Sequence, residues 1–271
     1  MTLVCPACRH AIDGVLHVRT LPDPVDAVVR CACGAAYPVI DGIPIVRRDL
    51  DAWLLSEGAE AWRRTDLPEP LEALLADHAP EPLPRNRALV RAWRASREGP
   101  LQARLAELLD SLPGDVLELG AGVGVTARDV VAVDHNLGVL RAHPSPRRVC
   151  ADAMDPPFLA ESFDVVVLAN LLDACADPGL VLAQADALLR PGGALVVTCA
   201  YAFQAAVTPR AAWFGAEALA DALLRGAPLG RHAIAPHVPA GPPERHAWPI
   251  HVSPRTRHVH DVDLWLTRKD V

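Results

Sequence analysis

The sequence predicts an α/β chain, a mostly parallel sheet with crossover helices, preceded by a small cysteine-bearing unit. Three observations carry this. From Asp115 onward, short β-branched runs alternate with helical stretches, the pattern of βαβ units. The first of those runs opens directly into a glycine-rich loop, Gly120-Ala-Gly-Val-Gly124. Four of the seven cysteines form two close pairs near the start of the chain.

The 271 residues are 51% apolar and 22% charged, the balance of a folded chain with a sizeable core. The longest apolar runs, such as Val165–Leu168 and Ala194–Val197, are strand-sized and far short of the ~18 residues of a membrane span. Met1–Cys8 shows no basic region followed by an apolar stretch, so the expectation is a cytoplasmic chain with no membrane partner. A net charge of −7 argues against nucleic-acid binding as the main task.

Three zones follow: residues 1–48 with the cysteines, a helical connector over 49–100, and the α/β region over 101–271. The first holds β-like runs at Val25–Cys31, Tyr37–Ile40 and Ile43–Arg47. Helices are predicted at Leu50–Arg64, Pro70–His78, Asn86–Arg97 and Leu101–Leu112. Strands are predicted at Val116–Leu119, Val130–Asp134, Arg148–Ala151, Phe163–Ala169 and Ala194–Cys199. A helix at Pro178–Leu189 meets a stop signal in Arg190-Pro-Gly-Gly193. A helix at Phe214–Arg225, a proline-rich loop and a last strand at Val259–Arg268 complete the chain.

Cys5-Pro-Ala-Cys8 and Cys31-Ala-Cys33 each supply two thiolates from one turn, as tetrahedral zinc requires. A structural Zn2+ there would supply folding free energy to a unit too small to fold alone. The C-x-C pair is tight, which leaves His10 or His17 as alternative ligands. Cys150, Cys175 and Cys199 lie in apolar surroundings and read as buried thiols. The string Cys31-Ala-Cys-Gly-Ala-Ala-Tyr-Pro-Val-Ile-Asp-Gly-Ile-Pro-Ile-Val46 resembles the Trm112-like zinc-ribbon family over roughly residues 1–47. The resemblance implies that the ribbon binds a protein partner or works fused to a methyltransferase.

In Val116-Leu-Glu-Leu-Gly-Ala-Gly-Val-Gly124, the glycines let a ligand approach the backbone closely. Glu118, two residues before the first glycine, would repel a pyrophosphate and welcome an ammonium, which favours S-adenosyl-L-methionine. Asp134 ends the next strand, where a carboxylate accepts from ribose hydroxyls. Asp152 follows the third strand, placed for an adenine amino group. In this order the features resemble the class I SAM-dependent methyltransferase family over roughly residues 101–271, with a Rossmann-like sheet and an antiparallel final strand. The resemblance implies Glu118, Gly120 and Gly122 around the methionine moiety, Asp134 on the ribose, Asp152 and Ala153 at the adenine, and Ala121, His135 and Asn170 as further cofactor-binding residues. The plainer alternatives are a surface charge for Glu118, a strand-end cap for Asp134 and a turn former for Asp152, with Asp155 then the adenine contact. Only Val125–Asp129 separates the loop from the second strand, short for a parallel crossover.

Acceptor-side residues are expected after the fourth and fifth strands: Asn170, Asp173, Tyr201 and, from the late loop, His246, Trp248 and His251. The string Ala169-Asn-Leu-Leu-Asp-Ala-Cys-Ala-Asp-Pro178 resembles a stretch of methyltransferases that act on imidazoles in peptides or small molecules. It implies that Asn170 and Asp173 hold the acceptor, with Asp173 as base; a helix-start carboxylate is the plainer role for Asp173. Six of the eleven histidines fall in residues 232–260 without metal-ligand spacing; a base such as His251, or packing and surface roles, remain open. The expectation is a SAM-dependent methyltransferase acting on a small-molecule or peptide nitrogen or oxygen. One alternative is an RNA methyltransferase using Arg85, Arg87, Arg91, Arg94, Arg97 and Arg104, which otherwise form a solvated face. A second is a non-catalytic scaffold that binds a partner through the ribbon.

Overall fold

The computed structural model describes residues 2–12, 27–56, 99–124, 129–253 and 256–270. Near the start, β1 (Ala27–Arg30), β2 (Ala36–Ile40) and β3 (Ile43–Pro44) form a three-stranded antiparallel sheet. Helix α1 (Leu50–Ser56) follows, and α2 (Pro100–Ser111) leads into the main sheet. The predicted helices at 70–78 and 86–97, and the arginines from 85 to 97, lie outside the described residues, as does residue 17.

The main sheet contains β4 (Val116–Leu119), β5 (Val131–Asp134), β6 (Arg148–Cys150), β7 (Phe163–Ala169), β8 (Leu189–Cys199), β9 (His237–Pro239), β10 (Glu244–Ser253) and β11 (Thr256–Lys269). Its strand order is β10-β11-β8-β7-β4-β5-β6, with β9 beside β11. Strands β6, β5, β4, β7 and β8 run parallel. The late strand β11 inserts between β8 and β10, antiparallel to both. The expected fold class holds, including the reversed last strand.

Packing follows from the pleat. On β4 and β7, Leu117, Leu119, Val166 and Leu168 face one core, and Val116, Val165 and Val167 the other, so both strands are mainly apolar, with Glu118 the exception in β4. The first core takes helices α4 (Pro178–Leu188) and α5 (Ala216–Arg225); the second takes α1, α2 and the short α3 (Leu137–Leu140). The result is a three-layer α/β/α sandwich. Helix α4 starts where Asp177 accepts from the Leu180 N–H at 3.1 Å, with Pro178 in its first turn.

Two expectations need correction. The proline-rich loop after α5 contains β9 and β10; Pro249 sits on β10 opposite Val259, which an edge strand tolerates because one side of its backbone has no ladder to serve. Arg190–Gly193 does more than stop a helix: α4 ends at Leu188, and those residues already belong to β8.

The cysteine unit docks in cis. Ile45 bridges Cys150 on β6 in parallel, and the Val46 N–H donates to the Cys150 carbonyl at 3.0 Å. Leu3 bridges Phe158, and Asp155 pairs with both Arg9 and Arg48. Tyr37 and Val46 enter one core while Ile40, Ile43 and Ile45 enter the other. The unit therefore straddles and covers the β6 edge.

Candidate functional site

Strand order reverses direction at β4: the chain moves from β4 to β5 and β6 on one side, then returns to β7 on the other. In such sheets the crevice lies outside the carboxyl ends of the strands at this switch point. The glycine loop leaves β4 there. Gly122 has φ +56°, a Cβ on it would meet nothing within 4 Å, and its N–H donates to Asp134 Oδ2 at 2.9 Å. The loop is thus a backbone cradle with open space above it.

Asp134 ends β5 and is buried, and its second oxygen accepts from the Asn136 N–H at 2.8 Å. Each oxygen keeps a further lone pair, because an ionised carboxylate offers about four acceptor sites. Beneath the loop, Glu118 is 1% exposed. Its Oε2 lies 3.3 Å from His143 Nε2, while Oε1 is buried with no partner among the described residues. Ala121 is anchored through its N–H to the Val133 carbonyl at 2.8 Å, and Gly120 lies against Leu171 from the β7 exit.

At the other end of the crevice, Asp152 Oδ1 accepts from the Met154 N–H at 2.8 Å, so its turn-forming role is real. Its Oδ2 stands 3.9 Å from the Arg47 guanidinium. Asp155 is committed to Arg9 and Arg48. Ala153 is half-buried against the core. Arg47 and Trp53, which sequence reasoning missed, arrive here from the segment after β3. The Trp53 indole N–H donates to the His135 carbonyl at 2.6 Å, and Arg47 lies over the Trp53 ring at 5.9 Å. Arg47 is bidentate to Asp49, with a buried NH1 that has no partner among the described residues.

On the acceptor side, Asn170 has φ +51°, and its side-chain carbonyl accepts from Thr198 at 3.1 Å. Asp173 is buried and accepts from the Ala202 N–H at 2.9 Å. Burial pushes its carboxyl up, against the backbone N–H bonds that pull it down. The segment after β8 is pinned nearby: Thr208 donates to the Cys175 carbonyl, and Trp213 to the Thr208 carbonyl. Phe203 stacks on Trp213 at 5.6 Å, and Tyr201 meets Phe214 edge-on at 5.8 Å. Because β11 pairs with β8 only from Asp263 onward, residues 256–262 and the facing part of β10 overhang this edge of the sheet. His251 and Trp248 sit on that overhang; the His251 side chain lies outside the described residues. His246 pairs with Glu244, His237 with Asp186 and His232 with Asp177, which gives these three histidines packing roles. Arg104 lies on the carboxylate of Glu244 at 2.8 Å, not on a free basic face.

The four sulfurs of Cys5, Cys8, Cys31 and Cys33 lie within 4.8 Å of one another. Cys5–Cys33 and Cys8–Cys31 are 3.7 and 3.5 Å apart, close to the ~3.8 Å edge of a tetrahedron with 2.3 Å zinc–sulfur bonds. The tight C-x-C pair therefore reaches the same centre, and His10 stands outside it. Burial alone raises the Cys5 thiol, yet the Tyr37 hydroxyl at 3.1 Å and the N–H groups of Cys8 and Ala7 bring it down to about 6. Cys150, Cys175 and Cys199 are buried as expected, with Cys175 pushed up to about 12 by burial.

Residues 116–197 match the methyltransferase domain family. That segment runs from β4 through most of β8 and contains the whole switch point. The chain is similar to the demethylmenaquinone methyltransferase of Corynebacterium urealyticum, 36% identical over 104 residues, which are 35% of this chain and 45% of that protein. The Renibacterium salmoninarum protein of the same name is 31% identical over 146 residues, 48% of this chain and 58% of that one. The chain thus spans about half the length of these curated relatives. A Thermotoga maritima SAM-dependent methyltransferase, described as a possible histamine N-methyltransferase, is 17% identical and covers 66% of this chain and 94% of its own, with a TM-score of 0.40. Among the described residues no helix is long and apolar enough to cross a membrane.

Proposed function

We propose that this chain is a SAM-dependent methyltransferase that acts on a small-molecule acceptor. The observation that carries the proposal is Asp134. Its carboxylate ties the glycine loop to the β5 exit through Gly122 and Asn136, at the switch point of the sheet and with acceptor capacity left for a diol. The orphaned Glu118 oxygen and the open space above Gly122 fit the amino-acid end of the same cofactor. The names of the similar proteins, demethylmenaquinone methyltransferases, support a small molecule as acceptor.

When bound, S-adenosylmethionine supplies a methyl group on a sulfonium. Asp134, with His135 beside it, would hold the ribose, Glu118 the ammonium, and Asp152 and Ala153 the adenine, at the end where Arg47 and Trp53 also sit. On the acceptor side Asp173 would take the proton that the nucleophile gives up, since a carboxyl pushed up by burial is the stronger base. Asn170 and the overhanging part of the β10–β11 hairpin border the acceptor side. The rate would come mainly from positioning and exclusion of water, which the buried floor of Glu118, Asp134 and Asp173 favours.

We also infer that residues 1–48 are a Trm112-like ribbon whose four cysteines hold a structural Zn2+, and that the ribbon serves its own methyltransferase domain in cis. Calorimetric titration with S-adenosylhomocysteine tests the cofactor assignment. Wild type is expected to bind, and Asp134→Ala to weaken binding about tenfold to a hundredfold by losing charge-assisted bonds. No heat with the metal-loaded wild type would sink the proposal and favour a scaffold.

A further inference from the structure

His143 was singled out by no sequence signal, yet its side chain is fully buried just beyond α3 and stands against the glycine loop. A Cβ on Gly124 (φ +85°) would come within 2.7 Å of its Nε2, so glycine is required there for the ring to sit as it does. The other ring nitrogen is committed: the Ser145 main-chain N–H donates to Nδ1 at 3.0 Å. An amide N–H can only donate, so Nδ1 carries a lone pair and the ring proton resides on Nε2. That proton faces Glu118 Oε2 at 3.3 Å.

The consequence falls on Glu118. One carboxylate oxygen receives a donor, and the other, Oε1, is buried with no donor among the described residues. A buried acceptor without a donor costs roughly 1–3 kcal/mol, so the site is built for a donor that arrives with a ligand. A neutral imidazole satisfies one oxygen without cancelling the carboxylate's charge; a lysine or arginine in its place would compete with an incoming cation. Ser145 is itself locked by donating to the Val130 carbonyl, so the ring cannot turn away without breaking a second buried bond.

We propose that His143 is a positioning residue that holds Glu118 so that its free oxygen selects cofactors carrying an ammonium group. This rests on the cofactor assignment above. The test is calorimetric titration of the full, metal-loaded chain with two ligands. One is S-adenosylhomocysteine; the other is 5′-methylthioadenosine, which shares the nucleoside and thioether but lacks the amino-acid end.

His143→Ala is expected to weaken S-adenosylhomocysteine on the order of tenfold and leave methylthioadenosine within about twofold. His143→Gln, which returns an N–H donor, is expected to recover most of the loss. Equal weakening of both ligands, or of neither, would overturn the inference while leaving the cofactor assignment standing, provided Asp134→Ala weakens both. If His143→Ala does not fold, His143→Leu, which fills the ring's space without a donor, replaces it: loss confined to S-adenosylhomocysteine supports the inference and equal loss overturns it. A wild-type chain that binds neither ligand removes the cofactor assignment and this inference together.

Discussion

Asp173 carries opposing demands at the scale of one residue. Burial raises its carboxyl, so the folded chain holds a proton more tightly than the unfolded one. Between the ordinary aspartate range near 4 and the raised folded value, the native state binds more protons, and stability falls as pH rises through that window. Asp173→Asn keeps an acceptor for the Ala202 N–H and removes the buried charge. The expected outcome is higher stability at neutral pH, a flatter stability–pH curve in urea melts, and methyl transfer lower by about a hundredfold or more. The same scale shows what sequence could reveal. The positions of Glu118, Asp134 and Asp152, within β4, at the end of β5 and just after β6, were legible because the strands themselves were. Arg47, Trp53 and His143 were not, because their partners lie far along the chain; Trp53 and His135 are separated by 82 positions.

At the scale of elements, the buried parallel strands were legible from their apolar runs, because both faces meet a core. Strand β10 was hidden. Its Glu244-Arg-His-Ala-Trp-Pro sequence alternates poorly and contains a proline, and only pairing with β11 makes it a strand. The cysteine unit is the element with the sharpest prediction. Elemental analysis of the purified chain is expected to give one zinc per molecule. Cys8→Ser, which breaks the four-sulfur set, is expected to lower that content and to destabilise the chain by several kcal/mol, a fraction of the ~10–16 kcal/mol with which structural zinc sites bind. Chelation of wild type should produce the same shift in thermal melts.

At the scale of the whole molecule, the β6 edge is closed by the chain's own N-terminal unit, through Ile45 and Val46 on Cys150. Val46→Pro deletes the N–H that meets the Cys150 carbonyl and leaves a buried acceptor open, at an expected cost of about 2–3 kcal/mol. Urea unfolding followed separately by zinc release and by far-UV circular dichroism tests it: the two transitions should coincide in wild type and separate in the variant. The opposite flank of the sheet has a different history. Strand β8 ends at Cys199, but the strand that covers its outer side does not begin until Thr256. At ribosomal speeds of ~5–20 residues per second, that delay lasts several seconds. During synthesis the outer edge of β8, with Leu195, Val196 and Val197, waits with open backbone bonds, a ledge on which neighbouring nascent chains can pair.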